Sequence, residues 1–350
     1  MKKKTKNILI IFCIAAVVIV AVGGGFAYSY YRTFYASNIS LINEKNNYIN
    51  IDEDVQDIDT LLLRLNELIE VKNMKTLKTA IEKLEFSKIR TGHYVFHKEM
   101  TNKQLVTMLK LGWQTPIRLT FNNIHTKEQL ALRLSNQLMI DSTTIITFLN
   151  NEDSISIHGF TSQTIVAAFI PNTYEVYWNT SVNNLFKKMI SEYKRFWNDE
   201  RLAKAAEIPL SPIEVSTLAS IVEGETNKEF EYPIVAGLYI NRLRKGMRLQ
   251  ACPTVIFAVG DFTLRRVLTV HTEYDSPYNT YIYAGLPPGP IRIASPKAID
   301  AVLNYERNNY IYMVADSQLN GTHRFSTTLA EHNKSANEYR QELNKRKIYK

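Results

Sequence analysis

The hydrophobic pattern of the chain begins with one long apolar run and then breaks into short segments. Residues 8 to 27 are 20 consecutive positions without a charged or strongly polar side chain (ILIIFCIAAVVIVAVGGGFA). A helix of this length rises about 30 Å, which matches the hydrocarbon core of a bilayer. We therefore expect a transmembrane helix at 8–27. A signal peptide cleaved after Ala27 is the alternative, although the run is long for one.

Charges around this run predict its orientation. Four lysines lie within the first six residues, whereas only Arg32 follows the run closely. By the positive-inside rule, we expect residues 1–7 to be a cytoplasmic tail and the chain beyond Tyr28 to lie on the other side of the membrane. Residues 28–47 become polar and weakly patterned towards their end, so we expect a stalk there.

Between residues 48 and 150, short alternating strands are followed by helices that open near a threonine. The three strand–helix units are Tyr48–Ile51 with Thr60, His93–Phe96 with Thr101, and Ile117–Phe121 with Thr126. Gln104 and Gln129 follow the second and third threonines at capping-box spacing. Small units of this kind resemble LysM-type modules, which bind glycan chains of the cell wall. We expect a LysM-like α+β subdomain at 48–150, with a spacer that binds nothing as the alternative.

A strong helix start lies at Ser211. Serine is a preferred N-cap, Pro212 suits the first helical position, and Glu214 completes a capping box. One face of the following helix carries Ser, Ala, Ser and Glu at helical spacing. We expect this small-residue face to leave room beside the helix, with Glu223 projecting into that room and Glu225 pointing elsewhere.

A glutamate at the edge of an apolar helix is a candidate acid–base catalyst. Desolvation raises the pKa of such a carboxyl, which keeps it protonated and able to donate a proton. A solvated surface glutamate is the alternative, and for a helical glutamate it is the commoner situation.

Two segments further along have compositions typical of binding loops. Ser276–Tyr281 combines tyrosine with asparagine, and these suit sugar recognition through ring stacking and hydrogen bonds to hydroxyls. Gly285–Pro290 is rich in proline and glycine, which exclude helix and central strand, so we expect a stiff surface loop there.

Composition excludes several classes of function. The chain has 42 Lys+Arg against 34 Asp+Glu, a formal net charge of +8. Half of that excess comes from Lys2, Lys3, Lys4 and Lys6. The remaining +4 is too mild for a nucleic-acid binder. Cys13 lies inside the apolar run and Cys252 outside it, so we expect no disulfide. P-loop, G-x-S-x-G, H-E-x-x-H and C-x-x-C motifs are absent.

Six short segments occur along the chain in a recognisable order. They are 218–226 (LASIVEGET), 241–243 (NRL), 249–255 (LQACPTV), 276–281 (SPYNTY), 285–290 (GLPPGP) and 332–334 (HNK). Together they resemble the YceG-like endolytic murein transglycosylase family over roughly 160–345. The chain departs from the family at Asn172, where aspartate is usual, and at Cys252, which replaces a more usual polar residue. The resemblance implies an α+β fold with a C-terminal α+β catalytic domain at 151–345.

The resemblance also implies a reaction. Members of this family are lyases that cut the β-1,4 bond between MurNAc and GlcNAc inside nascent glycan strands without water. Glu223 matches the family's catalytic residue. It would protonate the leaving O4 and then accept the proton of the MurNAc 6-hydroxyl, which attacks C1 and gives a 1,6-anhydro end. The residues that would line the cleft are Glu225, Asn241, Arg242, Gln250, Thr254, Ser276, Tyr278, Asn279 and Tyr281. No metal or cofactor is implied.

Partners and location follow from the same resemblance. It implies peptidoglycan glycan strands as the partner, with cell-wall synthases as further candidates, and no nucleic acid. It places the chain in the bacterial inner membrane, with the catalytic domain on the periplasmic side. Two alternatives stay open: a wall-binding scaffold without activity, and a hydrolytic muramidase. The hydrolase would pair Glu223 with a second carboxylate, from Glu225, Glu273 or Asp275.

Overall fold

The computed structural model describes residues 2–264, 266–346 and 348, and the chain forms two compact units. The first unit comprises residues 1–118 and 175–179, and the second comprises 119–174 and 180–350. The division at 118 differs from the expected one at 150. The reason lies in the apolar faces of the helices after 118, which pack within the second unit. Phe148, for example, lies 5.0 Å from Phe186, ring centroid to ring centroid.

The first unit mixes helices with short strands. Its helices are α1 (Lys2–Phe34), α2 (Ile58–Leu65), α3 (Met74–Lys83) and α4 (Asn102–Leu111). Its strands are β1 (Ser37–Leu41), β2 (Tyr48–Ile51), β3 (Ile69–Val71), β4 (Gly92–Val95) and β5 (Glu99–Thr101). β1 is the middle strand of an antiparallel sheet between β3 and β5, whereas β2 pairs with β4 in a separate antiparallel ladder. Strands β6 (Ile117–Thr120) and β7 (Thr173–Val176), each of which belongs partly to either unit, form a further two-stranded sheet.

The expected stalk contains a buried strand. Ile39 of β1 is fully buried, and it pairs with Val71 on one side and Met100 on the other. Asn38 is also buried, and its Nδ2 donates to Oδ1 of Asn102 at 2.7 Å. Asn38, one of the polar side chains that predicted an exposed linker, is therefore hydrogen-bonded inside the first unit, where such partners offset the cost of burial.

Helix α1 continues beyond the apolar run. Residues 6–32 are exposed, and over Lys6–Phe34 the helix is long and apolar enough to cross a membrane. At its end, Thr33 and Phe34 are buried in the first unit, and Asn102 Nδ2 donates to the Thr33 carbonyl at 2.9 Å. Residues 28–34 of the expected stalk are thus helical, and the last two of them are packed against the first unit.

The local helix signals agree well with the structure. Thr101 and Gln104 form the expected capping box at α4, with both reciprocal hydrogen bonds present. The third helix is capped by Thr126 as expected, but the Gln129 side chain accepts from the backbone of His125 rather than of Thr126. The first helix begins one turn earlier than predicted, because Asp57 rather than Thr60 is its N-cap.

The second unit is mainly helical. Its helices are α5 (Lys127–Ser135), α6 (Ser142–Leu149), α7 (Glu152–Ile155), α8 (Val182–Phe196), α9 (Asp199–Glu207), α10 (Pro212–Glu225), α11 (Tyr232–Arg244), α12 (Cys252–Val259), α13 (Thr269–Thr272), α14 (Pro296–Leu303) and α15 (Leu329–Lys345). Short 3₁₀ turns lie at Ser156–His158, Ile165–Ala168 and Glu229–Glu231. Strands β8 (Tyr312–Ala315) and β9 (His323–Ser326) pair antiparallel.

Helix α10 is the central helix of the second unit. It starts with the predicted capping box of Ser211 and Glu214, and every residue from 215 to 222 is buried. The small-residue face is therefore filled, contrary to expectation. The backbone N–H of Ile291 donates to Ser220 Oγ at 3.0 Å. The main chain of a neighbouring segment therefore packs against the small side chains, where an open space was expected.

The Pro/Gly run also differs from its prediction as a surface loop. Pro287, Gly289 and Pro290 are buried. A Cβ at Gly289 would overlap the carbonyl oxygen of Gln163, so this position needs glycine for close approach rather than for flexibility.

Candidate active site

A pocket of about 210 Å³ opens where α10 ends, and it contains a glutamate from the end of that helix. Four of the residues predicted for the cleft line it: Glu225, Arg242, Gln250 and Tyr281. Other lining residues come from α11, from α12 and from the β8–β9 hairpin, namely Tyr239, Cys252, Val314 and His323. Because α10 and α11 are held by the buried core, the pocket rests on rigid elements.

Glu225 is the carboxylate of this pocket. The Tyr239 hydroxyl donates to Glu225 Oε1 at 2.6 Å. Burial raises the pKa of Glu225 to about 7, although the Tyr239 hydrogen bond and the charges of His323 and Arg242 oppose that rise. A carboxyl with this pKa is about half protonated at neutral pH, so it can both give and accept a proton there.

Arg242 supplies a fixed positive charge beside this carboxyl. Its side chain is buried, Nε donates to the Ile311 carbonyl at 2.7 Å, and Nη1 donates to the Leu249 carbonyl at 2.6 Å. These two bonds join α11 to the segment before β8 and to the segment before α12. Arg242 therefore both organises the pocket wall and lowers the pKa of Glu225 in part.

A buried glutamate holds His323 at the edge of the pocket. Glu231 is 2% exposed, and its Oε1 accepts from the His323 backbone N–H at 2.7 Å. Its Oε2 lies 3.0 Å from His323 Nδ1 and accepts from the Thr226 hydroxyl at 2.8 Å. Thr226 follows Glu225 directly, so Glu231 connects the end of α10 to β9. This arrangement fixes the imidazole relative to the Glu225 carboxyl.

The opposite wall carries Tyr281 and Gln250. The Tyr281 hydroxyl lies 3.3 Å from Cys252 Sγ, and burial is the main cause that raises the pKa of Tyr281. The Gln250 backbone N–H donates to the Thr280 carbonyl at 3.1 Å, which joins the two segments. Gln250 also has a positive φ of 50°, an uncommon backbone conformation for glutamine that recurs at functional sites.

Comparison with known proteins shows where this architecture occurs. The model of the YceG-like family matches residues 48–338. The chain belongs to the YceG-like family. A 2.6 Å crystal structure of a YceG-like protein from Listeria monocytogenes has the same fold, with a TM-score of 0.55 at 24% identity. That match covers 83% of this chain and 99% of the Listeria chain.

Two proteins similar to this YceG-like chain carry the name endolytic murein transglycosylase. The Bacillus subtilis protein is 36% identical over 161 residues, which cover 46% of this chain and 44% of the relative. The Streptococcus pneumoniae protein is 25% identical over 334 residues, which cover 85% of this chain and 59% of the relative. The chain thus spans about three fifths or less of the curated relatives that it matches.

Within this YceG-like chain, Glu223 lies outside the pocket. Its Oε2 accepts from the backbone N–H of Ser295 at 2.9 Å, where Ser295 is the N-cap of α14. A carboxylate beside a helix N-terminus is stabilised by the free N–H groups and the helix dipole. Glu223 thus has a structural partner, whereas Glu225 faces the pocket.

Several other predicted cleft residues form hydrogen bonds inside the protein. Asn241 donates from Nδ2 to the carbonyls of Asn308 and Tyr310. Thr254 is fully buried, and its hydroxyl lies 2.8 Å from that of Thr280. These residues position the segments that line the pocket, but they do not line it themselves.

The Ser276–Tyr281 segment divides in the same way. Asn279 is fully buried and donates to the carbonyls of Thr272 and Tyr274, so it shapes the loop from inside. Ser276 Oγ accepts from the Tyr278 backbone N–H at 3.3 Å, and the Tyr278 ring packs against Phe257. Of this segment, Tyr281 alone is among the pocket-lining residues.

The other candidate carboxylates lie apart from the pocket. Glu273 and Asp275 are exposed, and Asp275 Oδ1 accepts from the Tyr283 hydroxyl at 2.8 Å. Among the described residues, Glu225 is the single carboxylate that lines the pocket.

Two of the polar lining residues, Tyr239 and His323, were not predicted from the sequence. Tyr239 lies three positions before Arg242, so helical spacing places both on one face of α11, and this signal could have found it. His323 had no local signal, because it reaches the pocket through the pairing of β8 and β9.

Proposed function

We propose that this chain is an endolytic murein transglycosylase. The proposed substrate is the glycan strand of nascent peptidoglycan, cut at the β-1,4 bond between MurNAc and GlcNAc with formation of a 1,6-anhydroMurNAc end. Membership of the YceG-like family and the names of its relatives support the reaction class. The observation that carries the proposal for this chain is a single pocket carboxyl, Glu225, whose pKa is about 7.

We propose Glu225, rather than Glu223, as the acid–base residue. Both lie in the segment that carries the family resemblance, two positions apart. Glu223 accepts a hydrogen bond from the Ser295 backbone N–H. Glu225 lines the pocket, and its pKa is raised to the range that proton transfer at neutral pH needs.

The reaction needs one carboxyl that acts twice. Protonated Glu225 donates its proton to the leaving O4 as the C1–O4 bond breaks. The resulting carboxylate accepts the proton of the MurNAc 6-hydroxyl while that oxygen bonds to C1, which returns Glu225 to its protonated form. Hydrolytic glycosidases typically use two carboxylates around the bond. A nucleophile inside the substrate removes the need for the second one, in agreement with a pocket whose single lining carboxylate, among the described residues, is Glu225.

Neighbouring residues suit the two halves of this cycle. The Tyr239 hydroxyl and the Arg242 guanidinium stabilise the carboxylate that forms after proton donation. The buried Glu231 orients His323, and Tyr281 presents an aromatic ring with a hydroxyl at the wall. Rings of this kind stack on sugars while the hydroxyl hydrogen-bonds.

The deciding experiment compares Glu225→Gln with Glu223→Gln. Glutamine keeps the size of glutamate and removes the titrating proton, so we expect E225Q to lose activity by roughly 10²–10⁴-fold. E223Q retains an acceptor for the Ser295 N–H and should keep activity within about tenfold of the parent chain. Mass spectrometry of digested murein gives the readout, and active E225Q beside inactive E223Q would reverse the assignment.

The same spectra separate the alternative functions. Anhydro ends support the lyase, reducing ends support a hydrolase, and the absence of any product supports a wall-binding scaffold. A hydrolase would also need a second carboxylate, so E273Q and D275N serve as matched variants that the lyase should tolerate.

We further propose that α1 anchors the chain in the membrane, with the catalytic unit on its outer side. The apolar, exposed helix over Lys6–Phe34 and the lysines before it support this orientation.

We also propose a LysM-like, glycan-binding role for residues 48–150. The antiparallel pair β2–β4, with α2 and α3 between them in sequence, supports a compact strand–helix module. Co-sedimentation of E225Q with insoluble murein tests this role. Deletion of residues 48–118 from that variant should weaken co-sedimentation, and unchanged binding would contradict the role.

A further inference from the structure

A crevice of about 520 Å³ lies in the first unit where α1 meets α3 and α4. Its α1 wall is formed by Phe26, Ser29, Tyr30, Thr33 and Phe34. These positions follow the spacing i, i+3, i+4, i+7 and i+8, so they form one continuous stripe along the last turns of α1. Aromatic rings and hydroxyls alternate along the stripe, which gives the wall both apolar and hydrogen-bonding character.

The facing wall is cationic. It is formed by Thr79, Lys83 and Leu84 from α3 and its C-terminal end, together with Lys103 from α4. The two lysines are the charged residues among those that line the crevice, and both are exposed. Lys103 Nζ donates to the Tyr35 hydroxyl at 3.0 Å, which holds one ammonium group near the stripe. A site with two ammonium groups, several hydroxyls and no carboxylate in its lining is complementary to an anionic phosphate ester.

The position of the crevice along α1 indicates which kind of phosphate ester can reach it. Phe26 belongs to the apolar run that ends at Ala27, whereas Phe34 is buried in the first unit. The eight residue steps between them rise about 12 Å along the helix. In the proposed anchored state, the crevice therefore starts at the edge of the hydrocarbon core and crosses the headgroup layer.

We propose that this crevice binds the headgroup phosphate of an anionic phospholipid in the outer leaflet. Lys83 and Lys103 pair with the phosphate, the hydroxyls of Ser29 and Thr33 donate to its oxygens, and the Phe26 end contacts the start of the acyl chains. The ligand assignment rests on the anchoring that we propose for α1, because only that anchoring brings a headgroup to this depth.

The test uses the full chain, purified in detergent with equal amounts of phosphatidylglycerol and phosphatidylcholine, and native mass spectrometry of the retained lipid. We expect preferential retention of one phosphatidylglycerol. The double variant Lys83→Ala/Lys103→Ala should lower the ratio of retained phosphatidylglycerol to phosphatidylcholine by at least about tenfold, since each basic group near a lipid surface contributes appreciably. Replacement of both lysines by arginine should preserve the preference.

The matched control is Lys75→Ala/Lys78→Ala, which removes two exposed lysines of the same helix that do not line the crevice. Equal loss of preference in this control would overturn the site, as would equal retention of the two lipids by the parent chain. Displacement of the lipid by millimolar glycerol 1-phosphate would show a site for soluble phosphate esters and would also overturn the proposal.

Two measurements separate this proposal from the proposed function. Alkaline extraction of membranes reports anchoring by α1, and the formation of anhydro ends from detached glycan strands reports catalysis. The Lys83/Lys103 alanine variant should retain both. Loss of lipid preference with both retained is the expected result. If this variant lost catalysis, or if alkali extracted it from the membrane, the two lysines would have a role beyond lipid binding, which would contradict the proposal.

Discussion

Glu223 and Glu225 show how two positions on one helix separate two roles. Successive residues of an α-helix turn by about 100°, so a step of two carries the side chain to nearly the opposite side. One carboxylate then meets the N-terminus of α14, and the other meets Tyr239 in the pocket. Both residues are glutamates, so their different roles arise from their neighbours. The N-terminus of α14 lies beside Glu223, and Tyr239 of α11 lies beside Glu225.

The raised pKa of Glu225 predicts the pH dependence of the reaction. The general acid must be protonated in the free enzyme, and the pKa of Glu225 is about 7. We therefore expect kcat/KM to be level at acidic pH and to fall about tenfold per pH unit above about 7. Initial rates of anhydro-end formation across pH 5 to 9 measure this.

Tyr239→Phe is the matched variant for this profile. Its hydroxyl lowers the pKa of Glu225, so removal of the hydroxyl should move the falling limb to higher pH. A parent profile that stays level up to pH 9, or a limb that moves to lower pH in Y239F, would contradict Glu225 as the acid.

The site was partly predictable from sequence at this scale. Arg242, Gln250 and Tyr281 were found because they lie in segments with a recognisable order of residue types. Asn241 and Asn279 lie in the same segments but hydrogen-bond inside the protein, and only the tertiary contacts distinguish the two groups. His323 depends on β9 and on the distant Glu231, which no local pattern connects.

At the scale of elements, capping signals predicted helix starts because a cap is a local interaction. The boxes at Thr101 and Ser211 are present as expected. Strand β1 (SNISL) was missed because its polar residues read as linker, and its pairing with β3 and β5 is set by residues far away in sequence. The small-residue face of α10 was misread for the same reason, since Ile291 fills it from outside the helix.

Asn102 connects several elements of the first unit, which makes it a test of this packing. It is fully buried, its Nδ2 donates to the Thr33 carbonyl and to Thr76 Oγ1, and its Oδ1 accepts from Asn38. Asn102→Ala removes these three hydrogen bonds, and the remaining bonds of Asn38 and Thr76 to the Asn73 carbonyl do not replace them. We expect a loss of about 3 kcal/mol in the free energy of unfolding of the first unit.

Hydrogen exchange of the β1 and β5 amides measures that change, because these strands report the first unit directly. The exposed Lys88→Ala serves as the control and should change the free energy of unfolding by less than about 0.5 kcal/mol. Equal protection of β1 in N102A and the parent chain would show that the asparagine network adds little.

For the whole molecule, the four N-terminal lysines predict the side of the membrane on which the catalytic unit lies. An alkaline phosphatase fused after the C-terminus should be active, because that reporter works only outside the cytoplasm. Replacement of the four lysines by glutamine should reduce the active fraction. An inactive phosphatase fusion, together with an active cytoplasmic reporter at the same point, would reverse the proposed orientation.

Helix α1 has a mechanical consequence for an anchored chain. Its apolar run at 8–27 rises about 30 Å, which matches the hydrocarbon core of a typical bilayer. In a thinner bilayer the same run exceeds the hydrocarbon layer and accommodates the excess by tilting. Because Thr33 and Phe34 are buried in the first unit without a break in the helix, that tilt passes directly to the first unit. Membrane thickness thus sets the inclination of the first unit, and we expect the first unit to tilt further towards the lipid surface in a thinner bilayer.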